Sequence, residues 1–341
     1  MSKERPLLTI AIPTYNRSKY LVELLDSLQS QVAGERRVEL IVSDNASEDD
    51  TLARLGEFRR QGLEFDLIVN EANLGADANI LQCFNVARGK YVWVFGSDDV
   101  LLRGALAKIL GYLEGCDYDL VHVAAYGFMG EYREKPVKAP YGNQAYLIDD
   151  PAYLAEKVNA MFTLITGNIT DKDRFMELRH APPSEFIGTG LIQLGWTFTV
   201  LKHLRKALYI REPLIAARTA NSSGWSLPTV FGANLKAVCD RLLAERPDLY
   251  RSFTSGILRD WYTSVTMSAR RGQMGGIETE NMHRLLKPIY GRDVLYWLYL
   301  YPLLRAPLPI ANLWFLAVRA MNVATAAVTF YLLPKRVAGC N

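Results

Sequence analysis

The stretch YVWVFGSDDV, residues 91–100, joins an apolar run directly to two adjacent carboxylates. Residues 91–95 have the length and composition of a buried strand, and the glycine and serine at 96–97 are typical of a turn. Asp98 and Asp99 then stand side by side, and each disfavours the ionisation of the other. We therefore expect a positive partner at this strand end.

Two explanations fit the carboxylate pair. Mg²⁺ and Mn²⁺ prefer hard oxygen ligands and commonly bind through one or two carboxylates together with substrate phosphates. Such a cation would also neutralise the charge that develops on a departing diphosphate. The alternative is that Asp98 and Asp99 cap a helix that begins near Leu102, since aspartate is a frequent N-cap residue.

The first 125 residues alternate between two hydrophobic periods. Strand-length apolar segments occur at 7–12, 38–45, 65–70 and 90–95, and segments with helical spacing of apolar residues occur at 18–31, 49–61 and 77–87. Short apolar strands that alternate with amphipathic helices predict an α/β fold whose mostly parallel sheet has helices on both faces. In such sheets, ligands bind at the carboxyl ends of the strands.

Polar clusters follow each of the four strands. They are PTYNR (13–17), SDNASEDD (43–50), NEANLGAD (70–77) and GSDD (96–99). Each cluster by itself is explained by ordinary turn and N-cap residues. Because parallel strands end at one edge of a sheet, the four clusters together predict a binding site there.

Composition limits the class of protein. In a chain of 341 residues, 50% are hydrophobic and 22% are charged, which indicates a globular protein rather than a disordered one. A net charge of +3 does not suggest a nucleic-acid partner. The four cysteines (Cys83, Cys116, Cys239 and Cys340) have no metal-ligand spacing, which fits free thiols in a reducing compartment. The first ten residues lack the apolar stretch of a signal peptide, so we expect a cytoplasmic protein.

Four segments carry a resemblance to a known family. TIAIPTYNR, VELIVSDNASEDDT, NLGADANI and GKYVWVFGSDDVL follow one another within residues 7–115. Together they resemble the nucleotide-sugar-binding half of family 2 glycosyltransferases with the GT-A fold. The resemblance implies a Rossmann-like sheet flanked by helices, a nucleotide-diphosphate sugar donor, and Mn²⁺ or Mg²⁺ as cofactor. It also implies inverting transfer to a glycan acceptor.

The resemblance assigns roles to individual residues. Contacts with the nucleotide sugar are implied for Pro13, Tyr15, Arg17, Asp44, Asn73, Asp77, Asn79, Ser97 and Asp98. Asp44 falls where a carboxylate accepts a hydrogen bond from the base, Asp98 is the implied metal ligand, and Asp99 is the acid that follows it, with a catalytic role. Gly96 stands where many family members have an acidic residue, so we expect weaker metal binding.

The second half of the sequence supplies further candidates. An inverting transfer needs a carboxylate that takes the proton of the acceptor hydroxyl. Glu185, in PPSEFIGTGLIQL, is the first candidate for this base, although it also fits a cap or a solvent-facing residue; Asp171 and Asp173 are weaker candidates. Arg218 lies in a polar segment of small residues (216–226), and its guanidinium suits a bidentate contact with the departing diphosphate.

Two mixed polar and apolar segments, MFTLITGNI (161–169) and FIGTGLIQLGWTF (186–198), suit the lining of an acceptor cleft, although plain core elements explain them equally. The overall pattern resembles the abequosyltransferase-like branch of the family, which acts on lipid-linked O-antigen intermediates. That resemblance implies an acceptor linked to polyprenyl diphosphate.

We divide the chain into a nucleotide-sugar-binding half (1–125), an acceptor-binding half (126–235) and a helical region (236–341). The last region contains an apolar, aromatic segment at about 290–334, interrupted by Arg305 and Arg319. Its longest uncharged piece has 15 residues, fewer than the roughly 20 that a spanning helix needs. It therefore predicts peripheral attachment to the inner face of the cell membrane. The alternatives are a buried core, a homo-oligomer interface, or a true span.

Three other functions are alternatives to a glycosyltransferase. A nucleotide-sugar-binding protein without catalysis remains an alternative because of Gly96 and the unclear base. A nucleotidylyltransferase would carry a Gly-rich basic loop after its first strand, and PTYNR is not such a loop. A dinucleotide-dependent dehydrogenase would need GxGxxG at the same place, and this motif is absent.

Overall fold

The computed structural model describes residues 5–132, 145–219, 229–273 and 279–330. They form two compact units. The first unit contains the described residues up to Asp149 and those of the range 162–219; the second contains Asp150–Met161 and the described residues from 229 onward. Both predicted halves of the transferase domain contribute to the first unit, and the helical unit begins earlier than the predicted boundary at residue 235.

One mixed sheet forms the centre of the first unit. Its strands are β1 (Leu8–Thr14), β2 (Val38–Asp44), β3 (Asp66–Val69), β4 (Tyr91–Val94), β5 (Val100–Leu101), β6 (Leu120–Phe128), β7 (Ala145–Ile148), β8 (Asn168–Asp171) and β9 (Ala207–Arg218). The strand order is β3-β2-β1-β4-β8-β6-β9-β5, and β7 also pairs with β9. The first four strands in this order are parallel, whereas β8 is antiparallel to both of its neighbours.

Helices cover this sheet and build the second unit. They are α1 (Ser18–Val32), α2 (Thr51–Arg60), α3 (Ala76–Val86), α4 (Ala105–Gly115), α5 (Pro151–Val158), α6 (Lys172–Glu177), α7 (Leu194–Lys202), α8 (Leu235–Leu243), α9 (Pro247–Gly256), α10 (Tyr262–Arg270), α11 (Thr279–Tyr290), α12 (Tyr301–Arg305) and α13 (Leu308–Phe330). The four strands and three helices predicted up to residue 95 are found within two residues of their expected bounds.

The period of the apolar residues explains this agreement. In α1 the side chains of Leu21, Leu24, Leu25 and Leu28 are completely buried, at the spacing of one helical face. In β4 every residue is buried, as expected of a central strand that is covered on both sides. These local patterns are strong enough to define the elements before any tertiary contact is considered.

The helix-capping explanation for the two aspartates is wrong. The first helix after them, α4, begins at Ala105, and its N-cap residue is Gly104 in the left-handed conformation, with φ 78°. The short strand β5 lies between the aspartates and that helix. Asp98 and Asp99 therefore belong to the turn that follows β4.

The second unit contains part of the predicted membrane segment in its core. Tyr296, Leu300 and Leu303 are fully buried, as are Ala311 and Val318 of α13 to within about one percent of their surface. Cutting the chain before this segment would therefore expose the core of the unit. Within the described ranges, no helix has both the length and the apolar character needed to cross a membrane. Residues 331–334 of the predicted segment lie outside those ranges.

Candidate active site

The polar clusters meet at one edge of the sheet. Strands β1 and β2 run in register so that Thr14 lies opposite Asp44, and the backbone N–H of Asn45 donates to the carbonyl of Thr14 at 2.9 Å. Strand β3 pairs with β2, and β4 with β1, in the same direction. The loops that follow the four strands therefore share the carboxyl edge, which confirms the expected arrangement.

Asp98 has its positive partner within the chain. Arg17, in the loop after β1, donates from Nη1 to Asp98 Oδ2 at 2.7 Å. Both side chains are 21% exposed, so a ligand at the edge of the sheet can reach them. Ser97, the residue before, is almost completely buried, and its predicted contact with a ligand would require movement of the turn.

Asp99 points into the protein. Its Oδ2 accepts a hydrogen bond from the Thr166 hydroxyl, and its Oδ1 accepts one from the backbone N–H of Arg218 at 3.0 Å. Burial, and next the charge of Asp98, raise the pKa of the Asp99 carboxyl to about 7. Because both carboxylate oxygens accept hydrogen bonds from the protein itself, the geometry argues against the direct catalytic role predicted for Asp99.

Arg218 ends β9 and is also engaged by the protein. Its Nη2 donates to Glu23 Oε2, and its guanidinium carbon lies 4.7 Å from the ring centroid of Tyr20 and 4.5 Å from that of Phe128. A predicted contact with a diphosphate would therefore compete with Glu23. Residues 220–226 of the same polar segment lie outside the described ranges.

Asp44 has unmet hydrogen-bonding capacity at this edge. It is completely buried; Oδ2 accepts from the backbone N–H of Ser47 at 3.0 Å, but Oδ1 has no hydrogen-bond partner among the described residues. Leaving such an acceptor unsatisfied costs about 1–3 kcal/mol. A ligand donor, such as a nucleotide base, would remove this cost once the covering residues move aside. Pro13 is partly buried and Tyr15 is exposed on the loop after β1.

Two asparagines of the predicted set hold the loops together. Asn79 is buried in α3, where its Oδ1 accepts from the Ser43 hydroxyl at 2.7 Å and its Nδ2 donates to the Ser43 carbonyl at 3.0 Å. Asn73 Oδ1 accepts from Asn45 Nδ2 and from the backbone N–H of Gly75, both at 2.8 Å. We therefore assign Asn79 to the packing of α3 on β2; Asn73 is exposed and stays a predicted contact.

Asp77 binds the loop that follows Glu185, the candidate base. Its Oδ2 accepts from the backbone N–H groups of Gly188 at 2.7 Å and Gly190 at 2.9 Å. Both glycines have positive φ (89° and 70°), which lets two nearby N–H groups turn toward one oxygen. The preceding 3₁₀ turn, Pro183–Phe186, carries Glu185, whose side chain is exposed. Asp77 thus anchors this loop through Oδ2, and its contact with the nucleotide stays a prediction.

The two weaker candidates for the base lie elsewhere. Asp171 is opposite Tyr91, at the start of β4, and accepts a hydrogen bond from the backbone N–H of Arg174 as the N-cap of α6. Asp173 pairs with Arg5 at 2.7 Å. Because the candidate site follows the other end of β4, neither carboxylate can act there.

The residues present fit a divalent cation only together with a ligand. Among the described residues there is no cluster of three or more His, Cys, Asp or Glu side chains that would hold a metal ion. Asp98 alone offers an accessible carboxylate at the turn. This matches the habit of Mg²⁺, which is often bound by one or two carboxylates plus substrate phosphates and water.

Thr166 is the site residue that the sequence did not reveal. It lies in a short 3₁₀ turn, Ile165–Gly167, and contacts Asp99 across 67 positions of the chain. The only signal was a threonine among apolar residues in segment 161–169, which we had interpreted as a possible cleft lining. The neighbouring segment 186–198 ends in α7, whose residues up to Leu201 are all buried in the core.

Comparison with known proteins defines the class. The family model described as glycosyl transferase family 2 matches residues 9–170. Abequosyltransferase RfbV of Salmonella typhimurium is 29% identical over 289 residues, which cover 77% of this chain and 84% of that protein. Residues 9–170 therefore form a glycosyl transferase family 2 domain, and the chain is a glycosyltransferase.

Solved structures support the same fold. A crystal structure of S. aureus TarS 1–349 in complex with UDP-GlcNAc has a TM-score of 0.58 at 15% identity, and the match covers 92% of this chain and 91% of that one. The mannosyltransferase PcManGT from Pyrobaculum calidifontis, in complex with GDP-Man and Mn²⁺, has a TM-score of 0.51 at 15% identity, with 94% and 87% covered. The first unit thus has the GT-A fold that the sequence predicted.

Proposed function

We propose that this glycosyltransferase moves a sugar, with inversion, from a nucleotide-diphosphate sugar to a glycan acceptor carried on polyprenyl diphosphate. The observation that carries the proposal is the presence of two different carboxylates at one sheet edge. Asp44 has a buried oxygen without a hydrogen-bond partner among the described residues, and Asp98 has an accessible carboxylate. The first suits a nucleotide base and the second suits a diphosphate with its cation. A relative named as an abequosyltransferase supports the transfer of a sugar, and a structural neighbour in complex with UDP-GlcNAc supports a nucleotide-diphosphate sugar as donor.

Each residue has a separate task in this mechanism. Asp98 would hold a Mn²⁺ or Mg²⁺ ion, which when bound offsets the charge of the departing diphosphate. Arg17 places a second positive charge beside that carboxylate, 2.7 Å away. Glu185 would accept the proton of the acceptor hydroxyl as the new glycosidic bond forms. The anchoring of its loop by Asp77 keeps this base at a fixed place in the first unit.

The proposal is tested by a thermal-shift screen of UDP, GDP, CDP and dTDP sugars with and without Mn²⁺, followed by a transfer assay on a polyprenyl-diphosphate-linked acceptor. A ligand at 100 times its Kd adds about 2.7 kcal/mol to the free energy of unfolding, so a true donor will raise Tm. If no nucleotide sugar raises Tm and none is consumed, the proposal is wrong. Binding without transfer or hydrolysis would favour the alternative that the chain is a nucleotide-sugar-binding protein without catalysis.

Replacing Asp44 by alanine should weaken donor binding more than it slows the chemical step. The base is remote from the bond that breaks, so its contact is the same in the ground state and the transition state. Loss of one hydrogen bond to a charged group predicts a KM for the donor that rises roughly 10- to 100-fold, with kcat nearly unchanged. Steady-state kinetics will measure both values.

The control for that variant is Asp66→Ala, which removes a carboxylate from the neighbouring strand β3, where it pairs with Arg88. This control should leave the donor KM unchanged. A large fall in kcat of Asp44→Ala at saturating donor would show that the residue acts on the reaction itself and would overturn its assignment to the base.

We assign membrane attachment to the outer face of α13. This face consists of the exposed apolar residues Leu308, Ile310, Leu313, Trp314, Leu316 and Met321. The opposite side of the helix is used within the second unit, where Ala311 and Phe315 pack on Met267 and Leu303. Residues 294–330 contain two arginines and no acidic residue, so the region is complementary to an anionic lipid surface.

Changing two leucines of this face should release the protein from membranes. Leu313 and Leu316 are 69% and 61% exposed, so Leu313→Gln/Leu316→Gln leaves the core intact. Each leucine withdrawn from the lipid should weaken binding roughly tenfold. Sedimentation with phosphatidylglycerol vesicles, and with phosphatidylcholine vesicles for comparison, will measure this loss.

The matched control is Val86→Gln/Met176→Gln, which removes two exposed apolar side chains from the first unit and should not change vesicle binding. Vesicle binding that survives in the α13 variant would contradict the assignment. So would a dimer of the unchanged protein that the same two substitutions dissociate, because the face would then be a homo-oligomer interface.

A further inference from the structure

Gly96 is surrounded by the groups that define the turn. A Cβ atom at this position would lie 3.1 Å from Asp99 Oδ2, 3.1 Å from Thr166 Oγ1 and 3.2 Å from Asp98 Oδ1. These distances are shorter than ordinary van der Waals contact. The φ angle of Gly96 is not in the positive range, so any residue could adopt its backbone conformation. A larger residue would therefore fit here only if these side chains moved by a few tenths of an ångström.

Thr166 is held in place by hydrogen bonds to its backbone and to its side chain. Its backbone carbonyl accepts a hydrogen bond from the Trp93 indole N–H at 2.7 Å, and Trp93 is a completely buried residue of β4. Its hydroxyl oxygen accepts from the backbone N–H of Gly96 at 2.9 Å while the hydroxyl proton is donated to Asp99. The hydroxyl thus uses its donor and one acceptor position on two ends of the same turn.

The turn closes on itself around this hydroxyl. The backbone N–H of Asp99 donates to the Gly96 carbonyl at 3.1 Å, so the two groups that the Thr166 hydroxyl binds, the Gly96 N–H and the Asp99 carboxylate, lie at the two ends of one four-residue turn. Once Asp99 is fixed inward by Thr166 and by the Arg218 backbone N–H, Asp98 is left as the carboxylate that faces the accessible edge.

We propose that Thr166 is the positioning residue of the Asp98 carboxylate, and that its hydroxyl occupies the room that an acidic side chain at position 96 would need. This inference rests on the proposed function, because it explains how Asp98 is presented to the cation and the diphosphate. In this arrangement a neutral hydroxyl from a distant segment stands beside Gly96, and Thr166 acts through Asp99 and the turn.

The test compares Thr166→Val with Thr166→Ser. Valine keeps the shape of threonine but removes the hydroxyl, whereas serine keeps the hydroxyl and removes a methyl group. Mn²⁺ is titrated in the presence of UDP and, separately, GDP, with its binding followed by electron paramagnetic resonance. Loss of a residue that orients a metal ligand typically costs 10- to 100-fold in metal affinity, so valine should weaken Mn²⁺ binding roughly 10- to 100-fold. Serine should recover most of that loss.

Thr199→Val is the matched control. Thr199 is equally buried in α7, where its hydroxyl donates to the Gly195 carbonyl at 2.6 Å, so this variant also deletes one buried hydroxyl. It should lower Tm to a similar degree without changing Mn²⁺ affinity. A Thr166→Val protein that binds Mn²⁺ as tightly as the unchanged protein, or a Thr166→Ser protein as weak as the valine variant, would overturn the proposal.

A second measurement does not depend on activity or on metal. Gly96→Ala should lower Tm in the unchanged protein, and by less in a Thr166→Ala background, because removal of the hydroxyl relieves one of the short contacts. Equal losses of Tm in both backgrounds would contradict the close packing of the two residues. If the unchanged protein binds and transfers no nucleotide sugar, the proposed function fails, and this comparison of Tm values still decides whether Thr166 takes the room beside Gly96.

Discussion

Replacing Asp98 by asparagine is expected to lower the rate of sugar transfer about 10²- to 10³-fold while the protein stays folded. The substitution keeps the size of the side chain but removes the one accessible carboxylate of the turn. The cation then loses its protein ligand, and the departing diphosphate loses part of its stabilisation. Turnover at limiting and at saturating Mn²⁺ will measure the effect, and part of the loss should be recovered at high Mn²⁺.

The variant should lose some stability but remain folded. The side chains of the Arg17–Asp98 pair are only 21% exposed, and a hydrogen bond to a charged group is worth about 1.5–3 kcal/mol, so the free energy of unfolding should fall by at most about that amount. Asp117→Asn is a suitable control, because its carboxylate is 83% exposed and pairs with Lys90 away from the turn. Turnover close to that of the unchanged protein at low Mn²⁺ would mean that Asp98 does not hold the cation. A lower rate with an unchanged Mn²⁺ dependence would mean that Asp98 acts through Arg17.

Replacing Glu185 by glutamine is the second change with a large expected effect. A positioned general base typically contributes about 10²- to 10⁴-fold, so we expect kcat for transfer to fall by about that factor. The affinity for the donor should not change, because Glu185 lies on the 3₁₀ turn Pro183–Phe186 and not in the loops after β1 and β2. Transfer rates together with the donor Kd from thermal shifts will separate the two effects.

The control for Glu185 is Glu177→Gln. Glu177 ends α6, and its carboxylate is 63% exposed and pairs with Arg174. Its loss should leave transfer unchanged. If Glu185→Gln transfers sugar at the normal rate, the base is a different residue. If the variant loses donor binding as well, the loop that Asp77 anchors contributes to the donor site, and the assignment to the acceptor hydroxyl is wrong.

Most of the strands and helices up to residue 95 could be predicted because the information that defines them is local. The spacing of the leucines in α1 and the unbroken apolar runs of β1, β2 and β4 define the elements by their periods alone. Parallel strands that alternate with helices must deliver their following loops to one edge. The edge itself, and Asp44 and Asp98 as its carboxylates, therefore followed from the sequence.

The individual roles at that edge did not follow from the sequence. Asp77, Asn79 and Asp99 have the residue types expected of ligand contacts, yet their polar atoms bond mainly to groups of the protein. A carboxylate or an amide gives no sign in the sequence of whether it faces a ligand or an N–H group from a distant loop. The direction of each side chain is set by its packing.

The apolar C-terminal segment is a further case in which the sequence left open what the tertiary structure shows. Its composition predicted both a membrane surface and a buried core as alternatives, and a count of apolar residues cannot separate them. In α13 the two are on opposite sides of one helix, with Ala311 and Phe315 in the core and Leu313 and Leu316 exposed. The helical period decides which residues share a side, but only the packed unit decides which side is covered.

The amino-acid sequence was sufficient to predict the strands and helices up to residue 95, the parallel order of these strands, and the sheet edge at which the candidate site lies. The tertiary structure decided which groups meet there: Arg17 with Asp98, Thr166 with Asp99, and Asp77 with the loop of Glu185, across separations of 81, 67 and 111 or more positions. The physical reason is that periodicity records the burial of neighbouring residues along one element. A hydrogen bond between distant segments leaves no such period, because it depends on how complete elements pack.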